Sequence, residues 1–413
     1  MRKPFAKRFG ILAGAMSLIA TLASVSFGSP AYGAGAPGVT KDSILIGIPG
    51  DLTGAGVSSN GDANAAIEAR FKQINAQGGI YGRKIKWVTV DTQSTPTAAL
   101  TAVEDLVGSK GVFAIAEDSI AVYDTASYLQ KQGVPMTGTA GDGREWYTQP
   151  NTNLFAVGGN SSLVPPKYSD GGFWKFAAGK GAKVSAIVAN TPSAVNIIPG
   201  FKAELSAEGL SDCDITLAPL GTVDVTTYAL TFKNAGCQAT YCIHLLATCL
   251  AVSTALQQSG LNSAKVLFAA GPSQDVLQSA QDIAAAKGNL FPGTDWSSFA
   301  GGRALLASLK KYDPSYKGGT PDIGTYGGWE AANLMVEGLQ VAGPNPTRKS
   351  FIKNLRNVTN WTDSGLANPG VNFKHFGVAP KTGPCTRYLT FNGKSYVAYP
   401  ADGRAFCGTL LPS

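Results

Sequence analysis

Residues 62–90 read DANAAIEARFKQINAQGGIYGRKIKWVTV, and a change of period inside this stretch decides the fold. Ile67, Phe71 and Ile74 recur at helical spacing on one face, Gly78 supplies the stop, and residues 85–90 then run as a short apolar strand. A further apolar run, ILIGI at 44–48, stands before the helix. Strand, amphipathic helix, strand is the unit of a parallel sheet, because parallel neighbours need a crossover and a helix is its usual form. The unit repeats outward. Thr95-Pro96 gives an N-cap followed by proline at the first helical position, with Leu100, Val103 and Leu106 or Val107 on the buried face, and strands are expected at 112–116 and 134–136. After Phe155 the rhythm restarts with strands at 184–189, 215–220, 241–246 and 266–270, each followed by a helix. Two more helices, around 299–312 and 326–341, come before a tail of different character, where 386–391 and 395–399 flank Asn392-Gly393 as a hairpin. The expected class is α/β, with two doubly wound parallel-sheet lobes. No low-complexity linker divides them, so the chain is expected to cross between them more than once.

The N-terminus explains where the chain goes. Arg2, Lys3, Lys7 and Arg8 precede an uncharged apolar run at 11–27, and small residues at Ala31 and Gly33 offer a cut before Ala34. That order is a secretory signal peptide at 1–33. The run is shorter than the roughly 20 residues that span a bilayer, and no cysteine near the cut marks a lipid-modified N-terminus. Export to the periplasm or cell surface follows. Without those four basic residues the formal charge falls from +7 to +3, so the basicity is largely a targeting feature. No basic stripe interleaved with aromatics is found, and nucleic acid is excluded as a partner.

The chemistry that is missing narrows the function classes. His244, inside an expected strand, and His375, in a late glycine- and proline-punctuated segment, are the two histidines, too few for a histidine triad or a multi-histidine metal site. His244 reads as structural and His375 as a surface residue. There is no G-x-S-x-G elbow and no phosphate-cradling G-x-x-x-x-G-K-[ST] loop. No catalytic residue, metal or cofactor is assigned. The six cysteines are even in number and bound for an oxidising compartment. Cys385 and Cys407 flank the terminal strand-like segments and are the expected disulfide; Cys213, Cys237, Cys242 and Cys249 can pair in three ways or remain buried thiols.

What remains is a set of polar loops at the C-terminal ends of the expected parallel strands, where open α/β sheets bind ligands. Thr53 and Asn60 follow the first strand, Glu117, Asp118 and Ser119 the third, and Thr139 and Ala140 the fourth. The second unit contributes Asn190, Thr191 and Ser193, then Ser273 and Gln274. Short hydroxyls and exposed N–H groups there can bind a small polar ligand. The competing reading of each is a helix cap; for Glu117 and Asp118 it is the start of the next helix.

The segment INAQGGIYGRKI at 74–85, with Leu52-Thr53-Gly54, Gly133-Val134-Pro135 and TYGGWEAA at 325–332, resembles the leucine/isoleucine/valine-binding protein family. The resemblance implies the type I periplasmic-binding fold of ABC importers. Its two lobes are joined by a three-strand hinge, with crossings near 155–160, 288–294 and 382–388, and lobe limits at 39–157 plus 291–382 and 158–290 plus 383–413. It further implies hinge closure around a small molecule, delivery to ABC permease membrane subunits, and a monomer; a sensory protein on the same fold is the alternative. Against the family pattern, Glu117-Asp118 replace a glycine/serine-rich carboxylate site, Ser273 stands where an acidic residue meets the ammonium, with Asp275 two positions on, and Asn60 replaces an aromatic. If the two acids face the cleft, the ligand is expected to offer hydrogen-bond donors or positive charge.

Overall fold

In the computed structural model, residues 35–139, 144–156, 169, 171–221, 223–367, 370–375, 382–409 and 411 are described. The expected leader and Ala140 lie outside them. Five parallel strands form the first sheet, β1 Ser43–Gly50, β2 Lys84–Asp91, β3 Ala114–Ala116, β4 Met136–Gly138 and β5 Leu154–Ala156, in the order β2-β1-β3-β4-β5. Ile44, Ile46 and Ile48 of the central β1 are buried, as expected of a strand covered on both faces. The helix Ala63–Ala76 lays Ile67, Phe71 and Ile74 on the sheet, while its small Ala66 and Ala69 admit the helix Ala300–Tyr312 on another side through Leu305 and Leu309. The long helix Ile323–Ala342 is also buried against it, and a Cβ on Gly328 would stand 2.2 Å from the Ala63 carbonyl oxygen. Only glycine allows this approach.

The second sheet contains β6 Lys183–Ala189, β7 Ser211–Ala218, β8 Ala239–Ile243, β9 Lys265–Phe268, β10 Leu290–Pro292, β12 Tyr388–Phe391 and β13 Tyr396–Tyr399. Its order is β13-β12-β10-β9-β8-β6-β7, parallel from β7 to β10 and closed by the antiparallel hairpin β12–β13. A separate two-stranded ribbon pairs β11 Thr382–Thr386 with β14 Phe406–Thr409. Cys385 and Cys407 are bonded across this ribbon as expected, and Cys213–Cys237 and Cys242–Cys249 complete the pairing. From β10 the chain runs on into the helix Ala300–Tyr312, which packs on the helix Ala63–Ala76. Residues 157–160 and 376–381, at two of the expected crossings, lie outside the described residues.

The structure corrects several element readings. β7 begins at Ser211 and has ended before Pro219, which has no N–H for a ladder. β8 stops at Ile243, because the helix Leu246–Gln258 begins where residues 244–246 were expected to continue the strand. His244 therefore sits just past the strand. On the helix Pro96–Glu104 the buried face is Ala99, Ala102 and Val103, continued by Leu106, while Leu100 is half-buried; the small alanines let the axis approach the core one residue out of the expected phase. Strand β5 was not anticipated, and the expected strand at 112–116 shortens to three residues. Among the described residues no helix is long and apolar enough to cross a membrane.

Candidate ligand-binding cleft

The loops leaving β1, β2 and β3 are held together by one carboxylate. Asp51, at the end of β1 and fully buried, accepts from the Thr92 hydroxyl, from Ser119 Oγ at 2.7 Å and from the Ile120 N–H at 3.0 Å. Burying a charge is costly without such donors. Ser119, expected to meet ligand, spends its hydroxyl here. Thr53 is likewise engaged: its Oγ donates to Asp91 at 2.6 Å and its N–H to the same carboxylate at 3.1 Å, while Ser94 Oγ donates to the Thr53 carbonyl at 2.8 Å. Burial pulls the Asp91 carboxyl upward, but bonds from Thr53, Gln93 and Leu52 outweigh it and hold it below the usual carboxylate range.

Three expected site residues do converge. The Asn60 side chain donates to the Asp118 carbonyl at 3.2 Å, and Thr139 Oγ donates to Asp118 Oδ1 at 2.6 Å. The Asp118 carboxylate also lies so close to Gly327 that any Cβ there would collide with it. Glu117 behaves differently. It is 1% exposed, accepts the Ser119 N–H at 2.8 Å and packs against Gly138. Of the two acids, Glu117 is thus buried in its own loop and Asp118 is half-exposed. Neither starts a helix, since the next helical turn is Val122–Thr125. Glu330, on the long helix, is buried and bonded by the Tyr326 hydroxyl; burial, then the charges of Asp363 and Asp118, push its carboxyl well above the usual range. Tyr326 in turn stacks on Trp296, with centroids 4.4 Å apart.

Across from these loops, the residues of the second lobe mostly cap their own turns. Thr191 Oγ accepts the Ala194 N–H at 3.4 Å, and Ser273 Oγ accepts the Asp275 N–H at 3.1 Å. The Ser273 N–H and carbonyl both bond the Tyr396 hydroxyl, at 3.0 and 2.9 Å. The cap reading thus holds for both side chains. Asn190 is exposed at the end of β6. The side chains of Ser193 and His375 lie outside the described residues. His244 uses both ring nitrogens, Nε2 with the Pro219 carbonyl and Nδ1 with the Leu245 N–H, each at 2.9 Å; burial holds it below the usual imidazole range. Gln274 Nε2 donates to the Thr320 carbonyl at 3.2 Å, joining the second lobe to the segment that leads into the long helix. The turn Val57–Asn60 approaches the helix Leu246–Gln258, so the lobes also meet across the cleft.

Residues 43–382 match a family model described as periplasmic binding protein. The chain belongs to the periplasmic binding protein family. Members of this family are extracytoplasmic solute-binding proteins, and the type I fold inferred from INAQGGIYGRKI is the fold observed. A curated relative, Leu/Ile/Val-binding protein homolog 3 of Brucella melitensis, is 23% identical over 228 residues, 55% of this chain and 58% of that protein. The match thus spans little more than half of the relative's length. Among solved structures, a fatty acid ABC transporter substrate-binding protein from Thermomonospora curvata superimposes with a TM-score of 0.74 at 18% identity, over 90% of this chain and 94% of that one. A solute binding protein from R. palustris in complex with benzoate gives 0.69 at 15% identity, over 90% and 98%. At these identities the likeness speaks for the fold. Sequence reasoning missed the roles of Asp51, Asp91 and Glu330. An acid directly ending an apolar strand was the available signal for the first two; for Glu330 there was none beyond its place in the TYGGWEAA segment.

Proposed function

We propose that this chain is the exported receptor of an ABC importer, cleaved after residue 33, binding one small molecule between its lobes and presenting it to the permease membrane subunits as a monomer. The lobes are taken as 39–157 plus 291–382 and 158–290 plus 383–413. The observation that carries this reading is the convergence of Asn60, Asp118 and Thr139 at one sheet edge, in a molecule whose second sheet meets the first through Val57–Asn60 and Gln274. Closure buries polar groups, so the ligand must return hydrogen bonds to them. The half-exposed Asp118 carboxylate favours a ligand with a donor group or positive charge at that end. Leu52 and Val57, 47% and 43% exposed on the loop after β1, offer apolar contact to the remainder. Asn190, exposed just past β6, is the polar side chain that the second lobe offers. No bond of the ligand is made or broken.

A thermal-shift panel of leucine, isoleucine, valine, their amides, benzoate and short fatty acids tests this. A ligand at 100 times its dissociation constant stabilises the native state by about 2.7 kcal/mol. The account expects the amino-bearing compounds to outrank the plain acids, and Asp118→Asn to abolish that preference. Benzoate binding tightly and equally to both forms contradicts the assignment of Asp118. Recovery of a chemically altered compound contradicts the binding-only reading.

A further inference from the structure

The helix Ile323–Ala342 turns Gly327 and Ala331 toward the first lobe's sheet, where Thr137 bonds the Ala331 carbonyl. Another of its faces carries Trp329 and Asn333, and these line a separate cavity of about 360 Å³ with Arg70, Trp361 and Asp363. That volume equals on the order of ten waters. Two deeply buried polar atoms of its lining have no protein partner: the indole Nε1–H of Trp329, a residue 1% exposed, and Oδ2 of Asp363, a residue 8% exposed. Buried donors and acceptors are nearly always satisfied. The Arg70 guanidinium lies 5.2 Å from the centroid of the Trp329 ring, held by bonds to Asn333 and Gln73. Arg70 and Asp363 attract each other without forming a direct ion pair.

The wall is also backbone-strained. Asp363 and Ser364 take φ of +45° and +56°, a left-handed conformation uncommon for residues with a side chain. The helix Ala300–Tyr312 presses on that turn, where a Cβ on Gly301 would stand 2.6 Å from the Asp363 carbonyl oxygen. Strain kept at a polar cavity is a mark of functional sites. A cationic donor, an indole N–H and a carboxyl oxygen therefore line one cavity, with Asn333 bonded to both Arg70 and Asp363 and with Val336 and Trp361 as apolar flank.

We propose that this cavity is a second binding site, distinct from the interlobe cleft, for a small carboxylic acid bearing an adjacent amino or hydroxyl group. Its carboxylate accepts from Trp329 Nε1–H and Arg70; its amino or hydroxyl group donates to Asp363 Oδ2. The site lies within one lobe and does not depend on lobe closure.

The test is a titration of the full mature chain with glycine, glycolate and acetate. It follows the Trp329 indole N–H by proton–nitrogen NMR, the peak being assigned by its loss in Trp329→Phe. The expected result is a saturable shift with glycine or glycolate, weaker by about tenfold or more with acetate, which lacks the donor. Arg70→Gln removes the saturation while the thermal shift given by a cleft ligand persists. Should Arg70→Gln not fold, Asp363→Asn serves instead and reduces the preference over acetate. A shift that rises linearly without saturating, equal response to acetate, or an undiminished response in a folded variant overturns the site and assigns the cavity to water alone.

Discussion

The two lobes share a topology and are held by different chemistry. Among the described residues, the buried acids Asp51, Glu117, Glu330 and Asp363 all belong to elements packed with the first sheet, which carries no disulfide. In the elements of the second sheet the buried polar residues are neutral, Ser185, Thr240, Thr248, Ser253, Ser273 and Asn289 together with His244, and two disulfides brace the lobe while a third closes its adjoining ribbon. Buried carboxylates need fixed donors and so organise loops; a disulfide acts chiefly by constraining the unfolded chain and organises little at the cleft. The loops of the first lobe are thus tied by buried acids, and the second lobe is covalently braced.

The sharpest way to break this contrast is Asp51→Ala. It leaves the Thr92 and Ser119 hydroxyls and the Ile120 N–H without their acceptor, and charged hydrogen bonds of this kind contribute about 1.5–3 kcal/mol each, so a loss on the order of 4 kcal/mol is expected in urea unfolding. A loss below about 1 kcal/mol means that Asp51 does not organise the loops. Replacing Cys213 and Cys237 together by alanine opens a loop of separation 24 and is expected to cost about 3 kcal/mol. Hydrogen exchange should rise in β6 and β7 while β1 is unchanged; equal loosening of both sheets would erase the division of roles.

A pH series sharpens the first half of the contrast. Burial pushes the Asp363 carboxyl from 3.8 up to about 7, against the opposing pull of Asn333 and Arg70. The folded chain then holds a proton that the unfolded chain has released, so this group's contribution is fully present below pH 4 and is lost as pH rises toward 7. Asp363→Asn should flatten that part of the profile and gain on the order of 2 kcal/mol relative to the parent at pH 8, measured as the difference between their unfolding curves. A parallel pair of profiles would place the carboxyl in water. The smallest effect belongs to Thr53→Val, which removes an exposed hydroxyl from Asp91 and is expected to cost about 1 kcal/mol or less.

Legibility in the sequence followed the same division. Periodicity located β1, β2, β6, β9 and the hairpin β12–β13, because each is an apolar run bounded by glycine or a polar turn. It overran β8, where Leu245 and Leu246 look like strand yet begin a helix. Three expected site residues, Asn60, Asp118 and Thr139, meet in space, whereas Ser119, Thr191 and Ser273 spend their hydroxyls on a loop or a cap. The residue types were readable; for Ser119 and Thr139 the use of the hydroxyl was not, because it depends on partners 68 and 21 positions away. Glu117 and Asp118 are adjacent and identical in charge, and only the fold separates the inward acid from the half-exposed one.

Lobe closure is the central claim, and small-angle X-ray scattering of residues 34–413 tests it most directly. With the ligand selected by the thermal-shift panel, the scattering should match the curve calculated for this structure, in which the Val57–Asn60 turn meets the helix Leu246–Gln258. Without ligand the radius of gyration should be larger, and Gln274→Ala, which removes the tie to Thr320, should increase it further. A radius that is the same with and without a saturating ligand would contradict the account.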